Sequence, residues 1–261
     1  MKPLLTLLFI FSIFVASSYK FAQSSEGAFI YFYNPETNIN NFATVKTAFD
    51  TYLVDQGTTH FQPFSDKANF ETAIKQGKGN IYLLSSWHLA ALREQNIPLE
   101  ITLVGTSKGS TLQKKVLSAK KEIVNVNMLK NTIVAGAGSE KYISSVLQQI
   151  LGKERESLLK DIKILTVPKD IDAVMAVNFG MATAAISSES SLNKLAIINP
   201  NQFQQLHSLG FSEKSYLLVA ATFKKPEAQE NQLIEILHKM SDNAEGEKSL
   251  KLLGIDGWKA L

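Results

Sequence analysis

From residue 28 onward, short apolar runs alternate with amphipathic stretches, and the segments joining successive apolar runs are too long for hairpins. That rhythm points to parallel strands covered by helices, because parallel neighbours need a crossover of a dozen or more residues. The first run, Ala28-Phe29-Ile30-Tyr31-Phe32-Tyr33, reads as a strand that stops at Asn34-Pro35. Residues 41–56 then place Phe42, Val45, Phe49, Tyr52 and Leu53 at helical spacing ahead of Gly57. Strands are expected at 60–64, 80–85 and 100–104, with a helix from the Asp66 cap to Gln76 and another at 87–95. Polarity rises at 107–110, and the extended segment 112–119 reads as a crossing into a second lobe. There the alternation repeats, with strands at 132–135, 162–167 and 182–187 and helices at 140–151, 153–160, 169–178 and 189–194. A strand over 215–221 crosses back. Helices at 227–240 and 245–253 have no strand between them and are expected to pack on the first lobe.

The first residues obey a different rule. Lys2 precedes the apolar run 4–15, and the small residues Ala16, Ser17 and Ser18 follow it, the order of an export signal. The run is shorter than the roughly 20 apolar residues of a spanning helix. Residues 1–22 are therefore expected to be removed on export, giving a periplasmic or secreted protein. With no cysteine in the chain, a lipid-anchoring cysteine, a disulfide framework and thiolate metal sites are all excluded.

Composition narrows the chemistry further. The net charge of +3 is too small to argue for nucleic acid, and the Lys114-Lys115 and Lys120-Lys121 pairs lack interleaved aromatics and read as a solvated face. Only two of the 27 basic residues are arginine, Arg93 and Arg155, so an anion site must rely mostly on Lys, hydroxyls and backbone N–H groups. His60, His88, His207 and His238 show no metal-ligand spacing, and His88 reads as a packed or surface histidine. Ser187-Ser188 lacks the flanking glycines of a nucleophile elbow. Neither an enzyme nor a cofactor site is implied.

What remains are polar residues at strand ends, the edge where open α/β sheets bind ligands. Tyr33 and Asn34 end the first strand, and Ser85, Ser86 and Trp87 follow the third. The turn Gly136-Ala137-Gly138-Ser139 joins a strand to a helix, where free N–H groups and the helix dipole favour an anion, with Lys141 offsetting Glu140. Ser187 and Ser188 end a strand of the second lobe in the facing position. Each feature also has a plain structural reading: the serines as helix caps, Trp87 as core, Gly138 as an ordinary turn.

The order of elements and four phrases resemble the periplasmic phosphate/phosphite/phosphonate-binding proteins, the ligand-capturing subunits of ATP-driven uptake systems. The phrases lie at 79–92 (GNIYLLSSWHLAAL), 128–135 (MLKNTIVA), 172–180 (DAVMAVNFG) and 253–258 (LGIDGW), the last resembling the family's closing helix. The resemblance implies a type 2 periplasmic binding protein fold: two lobes, each a mainly parallel sheet flanked by helices, joined by two hinge strands. Lobe 1 is expected at 23–110 plus 222–261, and lobe 2, with the hinge strands, at 111–221. It also implies a small polar or anionic ligand between the lobes and a membrane permease as partner, or, alternatively, a membrane sensor kinase. Phosphonate-binding members usually carry Ser-Thr-Ser-Gly at the start of the second-lobe helix. Here Ala135-Gly136-Ala137-Gly138-Ser139-Glu140-Lys141 offers one hydroxyl, so the resemblance does not carry over a phosphonate by name.

Overall fold

The computed structural model describes residues 27–34, 39, 41–56, 59–223 and 226–261, so the export signal read at 1–22 lies outside the described residues. The chain first lays down β1 (Ala28–Tyr33), α1 (Phe42–Leu53), β2 (Thr59–Pro63), α2 (Lys67–Lys75), β3 (Ile81–Leu84), α3 (Ser86–Glu94) and β4 (Leu99–Thr106). It crosses through β5 (Leu112–Gln113) into β6 (Lys115–Lys120), β7 (Ile133–Ala137), α4 (Glu140–Leu151), α5 (Glu156–Lys160) and β8 (Lys163–Val167). Next come α6 (Asp170–Asn178), β9 (Ala184–Ser188), α7 (Glu189–Ile198), α8 (Pro200–Gln204) and β10 (Leu206–Phe211). The return runs through β11 (Ser215–Tyr216) to β12 (Val219–Phe223), α9 (Ala228–His238), α10 (Ala244–Leu253) and β13 (Gly257–Ala260).

These strands form two main sheets, ordered β13-β4-β12-β3-β1-β2 and β10-β6-β9-β7-β8. In the first, β1 to β4 share one direction while β12 and β13 run against them. In the second, only β6 opposes the others. The crossing strands β5 and β11 pair with each other as a separate antiparallel ribbon, so the chain passes between the sheets twice at one place.

Helices cover both faces of the first sheet, which explains why its strands read as continuous apolar runs. Ile30 and Phe32 face α1, α9 and α10, where Phe49, Leu237 and Leu250 are buried with them, so the two late helices do pack on the first sheet. Tyr31, Tyr82 and Leu84 face α2 and α3, against Phe70, Ile74 and Leu89. The ring of Phe49 stacks on Phe61 at 3.9 Å, and burying a side chain of that size is worth about 1.5–3 kcal/mol. In the second sheet Leu117, Val134 and Ile186 pack on Ile143 and Leu147 of α4, while Ala135 and Ala185 pack on Val174 and Val177 of α6.

The structure departs from the sequence reading in several places, the helix α8 among them. The strand expected over 215–221 is two: β11 stays in the crossing ribbon, and β12 pairs from Val219 between β3 and β4 of the first sheet. The phrase at 253–258 is not a helix, because Gly254 takes φ +80 and ends α10, freeing Gly257 and Trp258 to pair with β4. β10 is a further strand that the sequence reading passed over, antiparallel to β6 and bulged between Ser208 and Gly210. Lys115, expected on a solvated face, is 2% exposed. Its position at the start of β6 turns it inward, and Asp170 compensates its charge.

Candidate functional site

In sheets of this kind each helix starts where its strand ends, so the helix N-termini gather along one edge. At that edge α3, α4 and α7 begin after serine N-caps: Ser85, Ser139 and Ser188. Ser139 accepts from the Tyr142 N–H at 3.2 Å, and Ser188 from the Ser191 N–H at 3.2 Å. Ser85 makes no side-chain cap bond; its hydroxyl is buried without a partner, as is that of Ser187.

The edges of the two sheets meet around a cavity of about 330 Å³. α3 contributes Ser86, Trp87 and Glu94, α4 contributes Lys141 and Tyr142 beside Ser139, and the crossing segments contribute Lys115, Ser212 and Lys214. A second space of about 250 Å³ lies between Asn34 and the start of α10's C-terminal turn on one side and Ser188, Ser190 and Lys194 on the other. Direct contacts also join the sheets. The indole of Trp87 lies on the ring of Tyr142 with centroids 4.2 Å apart and planes 17° from parallel. Lys141 reaches Glu94 at 2.6 Å, an exposed pair worth at most about 1 kcal/mol. Within the first lobe's side of the cleft, the Ser86 hydroxyl donates to the Tyr216 carbonyl of the crossing ribbon at 3.2 Å.

Gly138 permits the ring stack. Its φ is +110, and a Cβ there would sit 3.0 Å from Tyr142 Cδ1 and 3.2 Å from Trp87 Cζ2. The residue is therefore a backbone platform for two rings as well as part of a turn.

The residues singled out in the sequence thus separate. Ser86, Trp87, Ser139 and Lys141 come together at the first cavity, with Gly138 beneath the rings. Asn34 and Ser188 line the second. Ser85 and Ser187 are buried and line neither cavity. Tyr33 turns into the first lobe, 5.7 Å from the Phe70 ring and 5.6 Å from His88. Burial, with the charges of Asp66 and Glu71, pushes its hydroxyl up to about 12. His88 is fully buried and bonds through Nε2 to Glu71 Oε1 at 2.9 Å. Burial lowers its pKa; because the Glu71 carboxylate can only accept, Nε2 is the donor, and that hydrogen bond is the main reason the Glu71 carboxyl is held down at about 2. This pair is a packed structural element of the first lobe.

Sequence reasoning missed Tyr142, Lys115 and Asp170. Asp170 Oδ2 accepts from Lys115 Nζ at 2.9 Å and from the Ser188 N–H at 2.7 Å, tying the starts of β6, α6 and α7 into one buried junction. Lys115 sat in a basic run read as a solvated face, and Asp170 was passed over within the helix expected at 169–178. Among the described residues no group of three or more His, Asp or Glu side chains comes together as a metal site, and no helix is long and apolar enough to cross a membrane.

Two mixed α/β sheets, each built on parallel strands with antiparallel neighbours, crossed twice by the chain and facing each other across helix N-termini, define the class of two-lobed, type 2 periplasmic binding proteins. The family model described as ABC transporter, phosphonate, periplasmic substrate-binding protein matches residues 28–261, and the chain belongs to that family. Its role is therefore solute binding at the periplasmic side, with a small-molecule ligand and a membrane permease as partner. Among solved structures it is similar to a binding protein component of an ABC phosphonate transporter from Pseudomonas aeruginosa, at 16% identity and a TM-score of 0.68, covering 90% of this chain and 82% of that one. It is similar to a Xanthomonas citri protein bound to ATP, at 12% identity and a TM-score of 0.70, covering 91% and 92%. A Prochlorococcus marinus protein in complex with methylphosphonate gives 11% identity and a TM-score of 0.69, covering 90% and 92%. At these identities the likeness establishes the fold. No curated protein sequence matches the chain significantly.

Proposed function

We propose that the chain captures a compact organic oxyanion in the cleft between its two sheets and delivers it to an ABC permease. One observation carries this reading: α3 and α4, from opposite sheets, both begin at the same cavity, with Ser86 and Ser139 in its wall. Helix N-termini present N–H donors and partial positive charge to an anion, and Lys141 and Lys214 in the same wall offset Glu94 and Glu213, Lys115 being paired with Asp170. The cavity contains no arginine, so recognition rests on hydroxyls, N–H groups and lysine. Ligand that touches both lobes binds the closed form more tightly and shifts the population toward closure. Export through the segment at 1–22 fits the same role. No feature of the cleft favours a sensor kinase over a permease as the partner.

The test is thermal stability of the mature chain with phosphate, phosphite, phosphonates, sulfonates and carboxylates. A ligand at 100 times its Kd adds about 2.7 kcal/mol to stability, a readily measured rise in Tm. Absence of a rise with every one of these anions at millimolar concentration would sink the reading.

A further inference from the structure

Resting on that reading, we infer that Trp87 and Tyr142 form a parting aromatic clamp, and that the solute bound in this cleft carries a flat unsaturated or aromatic group beside its anionic head. The two rings belong to helices of opposite lobes, yet they meet face to face at 4.2 Å and 17°. Both line the cavity that holds Ser86 and Ser139. The backbone is shaped for them, since Gly138, at φ +110, carries no Cβ to press on the rings at 3.0 and 3.2 Å. A stack between lobes differs from a core stack in one respect: hinge motion can change its spacing without unfolding either lobe. Carbon atoms in contact lie about 3.5–4.0 Å apart, so a flat group between the rings needs their planes about 7–8 Å apart. The solute enters the open form, and the lobes then close on it to a ring spacing one ring thickness wider than the 4.2 Å seen here. The flat group then replaces one ring contact with two, while the anionic head reaches the starts of α3 and α4. The Lys141–Glu94 contact at 2.6 Å spans the same opening and parts as the planar group enters. The apolar wall formed by Ala90, Ala91 and Val146 suits the carbon body of such a solute.

Phenylphosphonate and methylphosphonate differ by replacement of a methyl group with a ring, and their affinities for the mature chain can be compared by calorimetry. Stacking of one base on aromatic side chains gives about 5- to 150-fold in affinity, and phenylphosphonate is expected to bind more tightly by a factor in that range. Trp87→Leu brings the ratio of the two affinities to about 1, and Trp87→Phe, which keeps a ring, restores most of it. Circular dichroism and the ligand-free Tm of each variant establish that it is folded. Equal affinity for the two compounds in the wild-type chain, or an undiminished ratio in folded Trp87→Leu, overturns the clamp while leaving anion capture intact. Binding of neither compound, together with no response to the wider anion series, overturns capture itself and the clamp with it.

Discussion

Trp87 and Tyr142 are stacked across the cleft, the indole from the first turn of α3 lying on the phenol ring from the first turn of α4. This contact joins two lobes that are otherwise connected covalently through a short ribbon of paired crossing strands.

If the stack holds the ligand-free lobes together, Tyr142→Ala opens them. A face-to-face pair is worth about 0.5–1.5 kcal/mol beyond the area it buries, so the open-to-closed ratio rises about 2- to 10-fold. Because the chain has no native cysteine, a pair of labels can be introduced on α3 and α4 and read by electron–electron distance measurements. An unchanged distance distribution in the variant would show that the stack does not set the closure.

Gly138→Ala places a methyl 3.0 Å from Tyr142 Cδ1 and imposes a φ of +110 on a residue with a side chain. We expect a loss of about 1–3 kcal/mol in urea unfolding, from backbone strain and displaced rings. A neutral result would mean that the turn relaxes freely and that the rings do not depend on it.

Lys115 and Asp170 are each almost fully buried, so replacing Lys115 takes from the buried Asp170 carboxylate its ion-pair partner. Lys115→Met is expected to cost about 3–5 kcal/mol. Lys115→Met combined with Asp170→Asn, which keeps an acceptor for the Ser188 N–H, recovers much of that loss. Additive losses in the double variant would contradict the assignment of a compensating pair.

Acid weakens the fold through Glu71 and His88. Glu71 has its folded pKa lowered from 4.5 to about 2, chiefly by the His88 hydrogen bond, so its contribution is complete above pH 4.5 and is lost as pH falls toward 2. His88 is lowered from 6.5 by burial, so the unfolded chain takes up a proton that the folded ring resists, and stability falls as pH drops below 6.5. Both effects have the same sign. Tm should decline from about pH 6.5 downward, and Glu71→Gln should flatten the part of the decline below pH 4.5; a curve of unchanged shape there would remove Glu71 as its source.

Much of the architecture was legible in the residues alone. Apolar runs such as Ala28 to Tyr33, and helical spacing such as Val45, Phe49 and Tyr52, report burial on one or both sides locally, and the described segments follow them. The serine caps Ser139 and Ser188 were legible for the same reason, since a cap acts within three residues of itself. Less legible was any feature whose partner is remote. β13 needs the edge of β4, and its four residues carry too little pattern to stand out.

The sequence by itself determined the alternating α/β elements, the two crossings and a scarcity of arginine for any anion site, because periodicity, turn chemistry and composition are legible without knowing which remote residues meet. Only the tertiary structure decided that Trp87 meets Tyr142 over Gly138, that Tyr33 points away from the cleft, and that Lys115 is buried against Asp170, 55 positions along the chain. Those contacts depend on how two lobes and their helices are placed in space, and local periodicity carries no information about that placement.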